Sequence, residues 1–316
     1  MDEMVVLLSK LVTGTGKTQE LKESHIAALI NHGLAPLAAY RGQEEQQLLR
    51  ERYKTTASHL AREQTLSDLD ELFKNEGIKA IVLKGASVAF RYWPEADLRP
   101  SCDLDLLLKA KDKGGIAKTF GQLGYELISE TDSGQKWQPP KKGRAPLDVV
   151  YSMRAPGAIN PTYQIDENTL WRKTVERKEG SSLLLLSPSH LLIHCAVHAA
   201  DHTFSRLLWL ADLAFIFQKE KELCQSEEIF RLAAKVRASR VLRLALRLAI
   251  ELFLPDHIGE APEIPWGTKW FQRQLCTEPC NWGDAVISPR MRKMMRACLV
   301  DRPQDLLRAA VGLPAR

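Results

Sequence analysis

The sequence predicts an α+β fold, in which a short mixed sheet is flanked by N-terminal and C-terminal helical regions. Three observations predict it. Apolar residues recur at helical spacing from residue 2 to about 77, four β-rich runs follow between residues 78 and 151, and helical spacing resumes from Ser187. The expected organisation is an N-terminal helical region over 1–76, a sheet-bearing core over 77–180 and a C-terminal helical domain over 181–316.

In the first region Met4, Leu7, Leu8 and Leu11, and later Leu60, Leu66, Leu69, Leu72 and Phe73, fall on stripes that a helix gathers onto one face. The stretch Gly14-Thr15-Gly16-Lys17-Thr18 imitates a phosphate-binding loop. Leu11 stands where that loop needs its first glycine and no strand precedes it, so it reads as a turn between helices. At Ile78 the texture changes. Ile78-Lys79-Ala80-Ile81-Val82-Leu83 is β-rich and stops at Lys84-Gly85, after which a helix fits 86–92. Residues 103–108 read as a second strand, and 115–123 as an amphipathic helix that Gly124 ends. Two further strands fit 125–130 and 147–151, separated by a basic, proline-bounded loop over 139–146. Ser187-Pro188-Ser189 is a helix-start signal, and helical spacing continues through Asp212 to Leu254. Beyond Pro255, Pro, Trp and Cys become frequent up to Pro289, after which one or two short helices are expected.

Composition narrows the function classes. With 45% hydrophobic and 26% charged residues, the 316-residue chain is an ordinary globular one with ample core for an enzyme. A net charge of +5, spread and interleaved with acids, neither demands nor excludes nucleic acid. Cys102, Cys195, Cys224, Cys276, Cys280 and Cys298 have neither the density of a secreted scaffold nor paired zinc-ribbon spacing. No signal segment follows Met1, and apolar runs such as 183–186 are far short of a membrane span. A reducing cytoplasm and no membrane association are the expectations.

The chemistry is concentrated in Arg99-Pro100-Ser101-Cys102-Asp103-Leu104-Asp105-Leu106-Leu107-Leu108. On a strand, residues two apart share a face, so Asp103 and Asp105 point together with Cα atoms roughly 7 Å apart while Leu104 and Leu106 enter the core. Two carboxylates this close repel unless a cation joins them, and paired acidic oxygens suit magnesium. Asp148, in Pro146-Leu147-Asp148-Val149-Val150, is the candidate third carboxylate for a two-metal clamp. Upstream, Leu83-Lys84-Gly85-Ala86-Ser87 offers backbone N–H groups at a helix start together with ammonium and hydroxyl donors, a seat for a triphosphate.

A glycine-containing turn, an Asp-x-Asp strand and a later Asp-bearing strand together resemble the DNA polymerase β-like nucleotidyltransferase superfamily. More closely, Leu83-Lys84-Gly85, Tyr92-Trp93-Pro94 and the run from Arg99 to Leu107 look like the bacterial family of uncharacterised nucleotidyltransferases, which has Leu-Lys-Gly before Arg-Pro-Met-Ser-Asp-Ile-Asp-Leu-Leu-Val. Gly124-Tyr125, Leu147-Asp148, the pair His198 and His202, and Leu207-x-Trp209-Leu210-x-Asp212-Leu213-Ala214 extend the resemblance over about 78–216. It implies transfer of a nucleoside monophosphate from a nucleoside triphosphate to a hydroxyl acceptor, with two Mg2+ ions and release of pyrophosphate. Asp103 and Asp105 would be metal ligands, Asp148 a ligand or the base, and Lys84, Gly85, Ser87 and Arg99 phosphate contacts. His198 and His202, with Asp201, would approach the nucleotide. The acceptor is open among a small molecule, a protein side chain and an RNA end. A module that keeps the fold and binds nucleotide without transfer is the alternative.

Other features have plainer readings. His190, His194, His198 and His202 step by four residues, about 40° per step, and so share a helix face. They read as packing and cleft-lining residues in preference to a zinc site. Trp209, Leu210, Leu213, Ala214 and Phe215 read as core, with Asp212 among them in need of a partner. Cys276 and Cys280 read as free thiols, and Lys141, Lys142 and Arg144 as a solvated basic loop.

Overall fold

The computed structural model describes residues 3–15, 20–140, 143–153, 163–265, 267–279, 281 and 287–306. Four helices open the chain: α1 (Glu3–Thr13), α2 (Glu23–Asn31), α3 (Ala35–Tyr40) and the long α4 (Gln46–Glu76). The sheet region contains β1 (Ala80–Val82), α5 (Lys84–Tyr92), β2 (Leu104–Leu108), α6 (Lys113–Gln122), β3 (Glu126–Glu130), β4 (Gly134–Gln138) and β5 (Leu147–Val150). After α7 (Glu167–Arg172) come β6 (Val175–Glu176) and β7 (Leu183–Leu185). Helices then dominate: α8 (Pro188–Asp201), α9 (Leu207–Lys219), α10 (Lys221–Gln225), α11 (Glu227–Lys235), α12 (Ser239–Phe253), α13 (Lys269–Thr277) and α14 (Pro289–Leu299). The expected α+β class with a mixed sheet and flanking helices is what the chain adopts. No helix among the described residues is long and apolar enough to cross a membrane.

Two compact units divide the chain. One gathers Met1–Arg52, Pro156–Gln164 and Leu192–Arg316, and the other gathers Tyr53–Ala155 and Ile165–Leu191. The second holds the sheet, whose strand order is β3-β4-β5-β2-β1-β7-β6. Strand β2 runs parallel to β5 and antiparallel to β1, which in turn runs parallel to β7. The sheet is larger than the sequence suggests, because β4, β6 and β7 were not legible as strands. β4 presents a buried amide, Gln135, where an apolar residue would mark a strand, and β7 is a three-leucine run buried on both faces. Such a run has no alternation to distinguish strand from helix.

One face of the sheet forms the core of this unit. Val82, Leu104, Leu106, Leu147, Val149, Leu183 and Leu185 pack there with Leu66, Leu69 and Phe73 of α4 and with Ile116 and Phe120 of α6. Helix α4 also carries buried and partly buried polar residues, and these fasten the loops that lead into the strands. Thr56 Oγ1 donates to Asp97 at 2.7 Å, Thr65 Oγ1 accepts from the Ala145 amide at 2.9 Å, and Asp70 accepts from the Ser182 amide at 2.7 Å. In this way α4 orients the chain ahead of β2, β5 and β7.

Helix α6 ends as the sequence indicates. Gly124 has φ +74, a conformation that costs a side-chain-bearing residue, and it lets the Gly124 amide reach Gly121 and the Tyr125 amide reach Phe120. The Tyr125 and Phe120 rings, 6.2 Å apart, complete the motif with an apolar contact.

Candidate functional site

Parallel pairing of β2 with β5 sets Asp105 directly opposite Asp148. Their neighbours Leu104, Leu106, Leu147 and Val149 are spent on the core, so by strand alternation both carboxylates leave the other face of the sheet. Asp103 lies in the bend just before β2. One carboxylate oxygen from each of Asp103, Asp105 and Asp148 falls within 4.8 Å of the other two, and all three residues are half-buried. No other group of three His, Cys, Asp or Glu side chains among the described residues converges in this way.

Charges at such separations repel by about 3 to 4 kcal/mol per pair at an effective dielectric of about 20, so the cluster needs a cation. Part of that need is met by Lys84, whose Nζ lies 2.8 Å from Asp105 Oδ1. Backbone pairing places it there. The Leu83 amide continues the β1–β2 ladder by donating to the Asp105 carbonyl at 3.0 Å, and the next residue, Lys84, begins α5. Burial pushes the Asp105 carboxyl above its usual range; Lys84 opposes that shift, while the charges of Asp103 and Asp148 add to it. For Lys84, burial would lower the pKa, but the charge and hydrogen bond of Asp105, with help from Asp103 and Asp148, leave it raised. Lys136 Nζ is 4.0 Å from Asp148 Oδ2, an open pair that solvent screens. An all-oxygen donor set without His or Cys fits a hard divalent cation such as magnesium.

The turn after β1 forms the second wall of the site. Leu83 is extended before α5, and no side chain caps the helix, so the N–H groups of its first turn carry no capping partner from a side chain. Gly85 sits at a close approach: a Cβ there would lie 3.1 Å from both Arg99 Nη1 and Ser101 Oγ, so those side-chain ends would have to give by a few tenths of an ångström. The loop carrying Arg99, Ser101 and Asp103 therefore packs against the first turn of α5. Arg99 is buried, and the Ser87 hydroxyl is enclosed in protein with no hydrogen-bond partner among the described residues.

Sequence reasoning missed Arg62. This α4 residue, only 2% exposed, donates to the Ser101 carbonyl at 2.7 Å and to Ser58 Oγ at 3.0 Å, while Ser58 also donates to Ser101. Burial, with the nearby charge of Arg99, lowers its pKa to about 10 against the opposing charge of Glu63. The available signal was a charge lying on the same helical stripe as Leu66, Leu69 and Phe73. Arg62 holds the backbone two residues ahead of Asp103.

The remaining sequence candidates are carried by other elements. His190 is buried, with Nδ1 2.7 Å from Ser187 Oγ, and burial together with the charge of Lys173 lowers its pKa. His198 and His202 belong to the helical unit, where their rings meet at 4.7 Å and lie 5.1 and 4.9 Å from that of Trp209. Trp209 was expected in the core but is partly exposed, unlike Leu210, Leu213, Ala214 and Phe215, because it sits on the side of α9 that meets the histidines. Asp212 is buried, as its position among those residues implies. Arg144 pairs with Asp68 of α4. Cys276 has its thiol pushed up by burial and by Glu251. Lys141, Lys142, Cys280 and most of the 14–18 stretch lie outside the described residues. A cavity of about 530 Å³ in the helical unit, lined by Phe217, Lys221, Phe230, Arg243 and Glu260 among others, includes none of the candidate residues.

No curated protein matches the chain. The model of the uncharacterised nucleotidyltransferase family matches residues 18–254, which include β1, the start of α5 at Lys84-Gly85, both Asp-bearing strands and helices α2 to α12. With well over half of its length matched, the chain belongs to the uncharacterised nucleotidyltransferase family.

Proposed function

We propose that this protein transfers a nucleoside monophosphate from a nucleoside triphosphate to a hydroxyl acceptor, releasing pyrophosphate in a magnesium-dependent reaction. The observation that carries the reading is the convergence of Asp103, Asp105 and Asp148 within 4.8 Å on one side of the sheet. These three side chains would hold one or two magnesium ions, whose chemistry is to neutralise the triphosphate and lower the cost of the charge that develops on the oxygens.

The protein's own groups divide the remaining work. Asp105, with 11% of its side chain exposed, is the enclosed anchor, whereas Asp148 at 29% is the more open carboxylate and takes the acceptor side. In the reaction the acceptor oxygen forms a bond to the α-phosphorus, its proton passes toward Asp148, and the bond to the bridging oxygen of pyrophosphate breaks in line. Lys84 and the first-turn N–H groups of α5 face the phosphate chain, and Gly85 keeps that turn free of a side chain. Arg99, packed against Gly85, adds positive charge behind it. Small molecules, protein side chains and RNA ends all present hydroxyls suited to this chemistry.

Asp105→Asn is the decisive variant. It should cut metal-dependent transfer by about a thousandfold, in line with the loss of a group acting on developing charge, while the circular-dichroism melt stays intact. Labelled nucleoside triphosphates incubated with magnesium and an acceptor panel, with release of pyrophosphate as the readout, measure it. Undiminished transfer by the variant removes the proposal. Magnesium-dependent retention of nucleotide with no pyrophosphate from the native chain on any acceptor would instead support a nucleotide-binding module.

A further inference from the structure

The aspartate cluster already has a cation of its own. Lys84 and Asp105 pair at 2.8 Å with side chains only 25% and 11% exposed, so the ammonium occupies a carboxylate more enclosed than that of Asp148, which is 29% exposed. We propose that Lys84 is a resident counter-cation that a divalent ion must displace from Asp105, so that the ion binds more weakly on its own than together with a phosphate chain. This rests on the metal-site reading given above.

The argument is one of charge and reach. An ion bound to Asp105 would share that carboxylate with the ammonium, bringing a double and a single positive charge within roughly 5 Å of each other. Lysine is a point charge on a flexible four-carbon stem, so it relieves the repulsion by swinging away, provided another anion receives it. Because Lys84 is the first residue of α5, the phosphate chain that the turn would seat lies within its reach. Lys84 therefore exchanges one anionic partner for another.

Mn2+ titration of the full-length chain, followed by electron paramagnetic resonance of the free ion, tests this without any catalytic readout. With no phosphate present, Lys84→Met should bind Mn2+ about tenfold more tightly than the native chain, as expected for removal of a competing unit charge at partly screened distance. With Mn2+ present, the same variant should bind inorganic tripolyphosphate more weakly. If Lys84→Met binds Mn2+ no more tightly while Asp105→Asn abolishes binding, the counter-cation is overturned and the metal site stands. If Asp105→Asn leaves Mn2+ binding unchanged, the metal site and the proposed function fall together. The unmodified chain provides a measurement that no folding defect can obscure. Acetylation of Lys84 by acetic anhydride, followed by peptide mass spectrometry, should accelerate several-fold when Mn2+ is added and slow again with tripolyphosphate. Labelling indifferent to Mn2+ overturns the proposal.

Discussion

Thr65 shows how much of the site's support lies in single hydrogen bonds. Its side chain is 1% exposed, and its Oγ1 both donates to the Ala61 carbonyl and accepts from the amide of Ala145, just ahead of the strand that carries Asp148. Thr65→Val keeps the shape but leaves the Ala145 N–H without its partner, and the expected loss is about 1 to 3 kcal/mol in a denaturant titration. A variant as stable as the native chain would mean that the loop finds another acceptor. Arg62 does the same kind of work for the loop ahead of Asp103. Neither residue was legible as part of a site. A lone Thr or Arg in a helix has no motif, and only its position on a buried stripe marks it. Asp103 and Asp105 were legible because i, i+2 spacing in a β-rich run implies a shared face before any neighbour is known, and Asp148 because it sits in a later β-rich run of its own.

At the level of elements, local rules served where they had a local cause. The glycine at the end of α6 is one example, and Gly124→Ala tests it. Alanine at φ +74 is strained, and its Cβ would lie 3.1 Å from Pro140 Cβ, so the denaturation midpoint should drop by the equivalent of about 1 to 2 kcal/mol. An unchanged midpoint would show that the helix end tolerates a shift of both. The helix starts at Lys84 and Pro188 likewise fall where turn and capping residues indicate, within two residues of the sequence expectation. Strands β4, β6 and β7 escaped the sequence because their evidence is in their partners. Gln135 of β4 is buried with its amide accepting from the Tyr151 hydroxyl at 2.7 Å, and Val175 of β6 pairs with Leu185. A buried amide and a two-residue strand leave no periodic trace.

For the molecule as a whole, acid should weaken the sheet-bearing unit. His190 and His59 both have pKa values lowered chiefly by burial, with Lys173 adding to the effect at His190 and Glu63 opposing it at His59. A depressed folded value means that the stability they contribute is present above the unfolded histidine pKa of about 6.5 and is lost as pH falls through the folded values. Thermal midpoints should therefore decline below about pH 6.5, and His190→Gln should flatten that decline. An identical slope in the variant would show that His190 does not take up a proton on unfolding. From the chain alone came the alternation of helical and β-rich regions, the acid pair and the glycine after β1, which follow from spacing along a few consecutive residues, and the third acid, which rested on a later β-rich run and on the resemblance to the family. Only the tertiary structure decided that Asp105 faces Asp148, that Lys84 closes on Asp105, that Arg62 braces the loop, and that Met1–Arg52 shares a unit with Leu192–Arg316. The reason is physical: periodicity says which way a side chain points, whereas pairing register and packing, which join residues far apart in the chain, decide what it meets there.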